Sequence, residues 1–79
     1  MKNNFPLYLQ LQELENSLLP RRKEILMLIR DHSPISFDQI HRRFMAVTTS
    51  TLHYDLQQLQ KVGLIRKLGT TKSAQYQTI

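Results

Sequence analysis

The chain contains no cysteine, so it can build no disulfide framework, thiolate metal site or cysteine nucleophile, and it gives no redox signature of its compartment. Long apolar runs are missing too, since no stretch approaches the roughly 20 residues of a membrane span. The N-terminus, MKNNFPLYLQLQELENSLLP, lacks the uninterrupted apolar core and small-residue cleavage site of a signal peptide. These absences predict a soluble, unexported, cytoplasmic protein. There is no glycine-rich phosphate loop, Ser-His-Asp order or paired-carboxylate signature, so nothing supports catalysis and no enzyme is expected. Three histidines, His32, His41 and His53, form no H-x-x-x-H or H-x-x-E pair, and neither a metal nor another cofactor is expected. Acid is scarce: six Asp+Glu against eleven Lys+Arg leave a formal net charge of +5, which favours polyanionic partners. Seventy-nine residues allow one compact domain, and no repeat or interdomain linker divides it.

What the sequence does contain is a series of amphipathic segments with marked starts and stops. Leu7, Leu11, Leu14 and Leu18 line one side of a helix expected over residues 5–18, with Asn4 as a cap, Pro6 in the first turn and Leu9 off the stripe. This stripe either covers the domain's own core or forms the seam of a homodimer, an arrangement that presents two copies to two half-sites. Pro20 opens a second helix through about Arg30, with Ile25, Leu26, Leu28 and Ile29 on its apolar face and Met27 pointing away. Arg21, Arg22 and Lys23 oppose the helix dipole in its first turn and serve either solubility or phosphate contact. After Asp31-His32-Ser33-Pro34, Ser36 and Gln39 read as a capping box, and Ile35 and Ile40 as a hydrophobic staple. They open a short helix over 37–44 with Phe37, Ile40 and Phe44 on one face and His41 packing at its flank. Arg42 projects nearly opposite and Arg43 to one side.

Only Met45-Ala46-Val47 separates this helix from the next, which predicts the tight turn of a helix-turn-helix. Thr48 is the expected N-cap of the third helix, and Val47 with Leu52 repeats the staple. Leu52, Leu56 and Leu59 fall in a narrow arc extended by Val62, whereas Ser50, Tyr54, Gln57 and Lys61 occupy the opposite arc with His53 and Thr49 at one edge. Gly63 supplies a left-handed stop that Leu64 closes against Leu59. Residues 64–68 and 74–79 then read as two strands around the turn Gly69-Thr70-Thr71-Lys72-Ser73. Asp55 lies beside the leucine arc, where an ion pair with a nearby arginine is expected.

The fold class predicted is mainly α with a small β-hairpin: a winged helix-turn-helix with a three-helix core plus wing and an extra N-terminal helix. Residues 1–19 form the helical extension, a possible dimerisation segment, and residues 20–79 the winged domain. The outer face of the third helix offers hydrogen-bonding groups with no carboxylate in its central arc, which suits the major groove of double-stranded DNA. Gln57 and His53 are the base-reading candidates, and Thr49 and Ser50 the phosphate donors at the helix start. Tyr54 completes the face, Arg42, Lys61, Lys67 and Lys72 supply charge around it, and Thr70 and Thr71 add hydroxyls in the wing turn.

The pattern V-x-x-x-T-L-x-x-D-L-x-x-L-x-x-x-G-L-I, carried by Val47, Thr51, Leu52, Asp55, Leu56, Leu59, Gly63, Leu64 and Ile65, is similar to the winged helix-turn-helix of DeoR-type bacterial repressors. It also looks much like the winged-helix module at the C-terminus of many Fic-family proteins. The resemblance spans about residues 20–79 and includes the Arg-Lys-Glu-Ile-Leu opening. It implies a small transcriptional regulator with Thr48 to Lys61 as the major-groove helix and Lys67 to Lys72 as the wing. DeoR-type helices commonly carry two arginines before the Asp-Leu pair, and here His53 and Tyr54 stand in those places. Winged helices of this kind also serve as protein-docking modules, and that is the alternative function.

Overall fold

The computed structural model describes residue 9, residues 15–70 and residues 74–79. Within these, α1 (Pro20–His32), β1 (Ile35–Ser36), α2 (Phe37–Arg43), α3 (Thr49–Lys61), β2 (Ile65–Leu68) and β3 (Gln75–Thr78) follow in order. Three helices with a small antiparallel sheet make a winged helix-turn-helix. Of the expected N-terminal helix, Leu9, Glu15 and Asn16 are helical, whereas Leu7, Leu11 and Leu14 of the stripe lie outside the described residues. Leu18, the last leucine of that stripe, is half-buried against the domain's own core. Glu15 pairs with Arg30 of α1 at 2.9 Å.

Local chemistry sets each helix boundary. Pro20 sits in the first turn of α1, where its missing N–H leaves no donor unpaired. The helix runs two residues past the expected Arg30, to His32, so that Arg30 and His32 occupy the last turn, where cations favour the dipole. The capping box of α2 is complete: Gln39 N–H donates to Ser36 Oγ at 3.2 Å, and Ser36 N–H to Gln39 Oε1 at 3.1 Å. Phe44 ends α2 as its C-cap instead of forming its last turn. Val47 N–H then closes the turn on Phe44 O at 2.9 Å. Glycine is not needed here, because no described non-glycine residue takes a positive φ. Thr48 caps α3 by accepting Thr51 N–H at 3.3 Å.

At the far end of α3, Leu64 N–H reaches Leu59 O and Gly63 N–H reaches Gln60 O, both at 3.0 Å, which is the bond pair of a Schellman stop. Gly63 holds φ at +82°, and a Cβ added there meets nothing within 4 Å. Gly63→Ala is therefore expected to cost only the left-handed backbone penalty, about 1–2 kcal/mol, measured by urea denaturation. A larger loss would reveal a packing role that the open surroundings do not show. Val62 departs from expectation: it is the C-cap and 40% exposed, so it does not extend the leucine arc.

The sheet contains one strand more than the predicted hairpin. Its order is β1-β3-β2, with Ile35 opposite Tyr76 and Lys67 opposite Tyr76 from the other side. Two residues are too few to show alternation, so Ile35-Ser36 reads in sequence only as the lead-in to a helix. Its pairing is made with a segment far along the chain. The core joins Ile25, Leu26 and Ile29 of α1 to Leu52, Leu56 and Leu59 of α3, with Ile35, Ile40, Leu64, Ile65 and Tyr76 closing the rest. Leu28 is only partly buried and Met27 is exposed, as its position on the wheel predicts.

Candidate nucleic-acid interface

Burial of Leu52, Leu56 and Leu59 turns the opposite side of α3 outward, and Thr49, Ser50, His53, Tyr54, Gln57 and Lys61 are all exposed. Ser50, His53, Tyr54, Gln57 and Gln60 line one side of an open groove whose other wall is Lys67 of β2 and Tyr76 of β3. Strand geometry selects these wall residues, because alternate side chains face opposite sides of a sheet. Lys67 shares a side with its partner Tyr76 and meets the helix. Arg66, one residue earlier, faces away: with the Gln77 amide oxygen turned toward it, Arg66 donates through Nε and Nη2 at 2.8 and 2.7 Å. Burial pushes the Tyr76 phenol above its ordinary pKa.

Gln60 and Tyr76 are additions that the sequence reading missed. Gln60 stands three residues after Gln57, a spacing that signals a shared flank, whereas Tyr76 has no local signal and enters through its register with Lys67. Thr70 is exposed in the wing turn, and Thr71 and Lys72 lie outside the described residues. Lys61 is exposed at the C-terminal end of α3. Arg42 stands elsewhere: with Leu28, His32, Ile35, Gln39 and Arg43 it lines a separate groove along α1 and α2. Of the site residues expected from sequence, the structure thus gathers Ser50, His53, Tyr54, Gln57 and Lys67 along one groove.

Two of the gathered residues are held from neighbouring helices. The His53 imidazole stacks on the Phe37 ring, centroids 3.9 Å apart and planes within 5°. His41 stacks on the same ring at 6.1 Å, so the flank of α2 packs as expected. The guanidinium of Arg22 sits over the Tyr54 ring at 5.4 Å, within cation–π range.

Beneath this face Asp55 is wholly buried. Arg21 donates to it through Nε and Nη2, and Arg22 through Nε at 2.9 Å. The ion pair expected from sequence is therefore a clamp by two arginines. Arg21 and Arg22, read from sequence as cations serving solubility or phosphate contact, thus also carry an internal pairing, with the Arg21 side chain 38% exposed and that of Arg22 18%. Burial acts to raise the Asp55 carboxyl, but the hydrogen bonds and charges of Arg21 and Arg22 outweigh it and hold the group below its ordinary pKa. The Asp55 hydrogen bond correspondingly raises Arg21. A carboxylate on the recognition-type helix is thereby neutralised and withdrawn from the outward face.

The DeoR-like helix-turn-helix domain family matches residues 21–77. The chain belongs to this family. Comparison with curated proteins and with solved structures found no match. The DeoR-like family is one of DNA-binding domains of the regulator type and is not an enzyme family, and double-stranded DNA is its general partner. The DeoR-like match contains the whole groove, from Ser50 to Tyr76, and the Asp55 clamp from Arg21 onward. Among the described residues no helix is long and apolar enough to cross a membrane. No group of three His, Cys, Asp or Glu side chains gathers among them either.

Proposed function

We propose that this domain binds duplex DNA sequence-specifically as a small transcriptional regulator, with α3 in the major groove and the β2–β3 hairpin as a wing along the backbone. One observation supports the reading above all: the outward face of α3 is polar and free of carboxylate, and it runs without a break into Lys67 of the wing. Gln57 stands near the middle of that face, where its amide can take a bidentate pairing with adenine. Thr49 and Ser50, at the N-terminal end of α3, bring hydroxyls and backbone N–H groups to a phosphate where the helix dipole favours an anion. Lys61, Lys67, Thr70, Thr71 and Lys72 contact the backbone around them. A homodimer built on the Leu7-Leu11-Leu14-Leu18 stripe, of which Leu18 also packs against the domain's own core, presents two such faces to two half-sites.

Selection from random duplexes, followed by titration of the selected duplex at low salt, tests this function. Binding to the selected sequence is expected to exceed binding to scrambled duplex by about 10³-fold or more. Gln57→Ala is expected to remove about 1–3 kcal/mol of discrimination at one base pair while leaving the unselected background intact. No measurable duplex binding at low salt overturns the proposal and leaves the protein-docking alternative on the exposed Tyr54 face.

A further inference from the structure

Of the two groove side chains held from other helices, His53 is the one stacked ring on ring. It is exposed on α3, yet its imidazole lies parallel to the Phe37 ring at 3.9 Å. Phe37 is itself well anchored. It is the first residue of α2, directly after the Ser36 capping box, and it packs against the hydrophobic core. His41, one turn later on α2, lies on the same ring at 6.1 Å with planes 14° apart. Phe37 of α2 thus carries two near-parallel imidazoles, one from its own helix and one from the outward face of α3.

A histidine reads a base through ring nitrogens that lie in the imidazole plane, so the plane decides which edge they can meet. A free surface histidine must give up rotamer freedom to hold one plane on binding, whereas a stacked one has already lost it. We propose that Phe37 is a positioning residue for sequence readout: without touching DNA, it fixes the His53 imidazole in the orientation that meets a base edge. The inference rests on the DNA-binding function proposed above and adds to it a specificity-determining residue outside the recognition helix.

The experiment compares the unmodified protein, Phe37→Leu, Phe37→Tyr, His53→Ala and the Phe37→Leu/His53→Ala double variant. Each is titrated against the selected duplex and against duplexes changed one base pair at a time, after circular dichroism has verified the fold. Phe37→Leu is expected to lower discrimination at the base pair read by His53 by about threefold to tenfold, the scale of immobilising one side chain. Its affinity for scrambled duplex should stay the same, and Phe37→Tyr, which keeps the ring, should retain discrimination. In the His53→Ala background, Phe37→Leu should have no further effect. In the free protein, the His53 imidazole protons should show an upfield ring-current shift that disappears in Phe37→Leu.

Equal weakening on selected and scrambled duplex, or full additivity of the two single changes, overturns the positioning role. So does the absence of the ring-current shift. If the unmodified protein binds and discriminates while Phe37→Leu behaves identically, this inference fails and the DNA-binding function stands. If the unmodified protein binds no duplex, both fail together.

Discussion

Replacing Arg21 and Arg22 together by alanine is expected to destabilise the domain by about 3–5 kcal/mol, the scale of leaving a buried charge without its partner. A chain of this size holds roughly 4–12 kcal/mol in total, so a large share of its stability should be lost, visible as a lowered midpoint in urea. The reason is Asp55, which has no exposed surface and is held by three donated hydrogen bonds from the two guanidiniums. The single variants should cost less and differ from each other. The Arg21 side chain is 38% exposed and that of Arg22 only 18%, so water screens the first pairing more than the second. An Arg21/Arg22 double variant as stable as the parent would show that Asp55 is not confined as described.

The same clamp dictates how stability responds to acid. The folded Asp55 carboxyl lies below the unperturbed value of 3.8, so near that pH the unfolded chain takes up the proton first. Its contribution is therefore complete above about pH 4 and is lost as pH falls through the depressed folded value. In the double variant burial acts alone and raises the carboxyl, so its destabilisation should shrink as the solution is acidified. Urea midpoints of both proteins measured between pH 7 and pH 3 should converge. Parallel curves would mean that Asp55 is not the group responsible.

Raising salt from 50 to 200 mM is expected to weaken duplex binding by about 40-fold for one bound copy and on the order of 10³-fold for two. These figures follow from about three phosphates neutralised per copy, by Lys61, Lys67 and Lys72, at a log–log slope near −0.9 for each. Lys61→Ala and Lys67→Ala should each reduce the magnitude of the slope by about 0.9 per copy, whereas Gln57→Ala should leave it unchanged. Sedimentation equilibrium in the same buffers supplies the number of copies and tests the homodimer directly. His53 and Tyr54 replace the two arginines that DeoR-type helices commonly carry, so no arginine of α3 itself adds to this slope. A salt-independent affinity would remove the phosphate contacts from the proposal.

Much of the site was legible because its determinants are close in sequence. Ser36 with Gln39, Thr48 with Thr51 and Gly63 with Leu64 each act within a few residues, and all three appear where the sequence places them. The four-three spacing of Leu52, Leu56 and Leu59 likewise decided which side of α3 is buried, and hence that Ser50, Tyr54 and Gln57 face outward. Periodicity carries that information because every turn of a helix repeats the same direction.

The sequence by itself therefore determined the helix starts, the turn, the core-facing arc and the polar outward face of α3, since each depends on propensity or on neighbours within about one turn. Tertiary structure alone decided the rest. It set Ile35-Ser36 beside β3 as a third strand, brought Lys67 and Tyr76 to the α3 groove, and sent Arg42 to a different one. It also turned Arg21 and Arg22 inward onto Asp55 and laid His53 on Phe37. These contacts join residues far apart along the chain, and their partners are chosen by how the helices and sheet pack around a shared core, which no local pattern encodes.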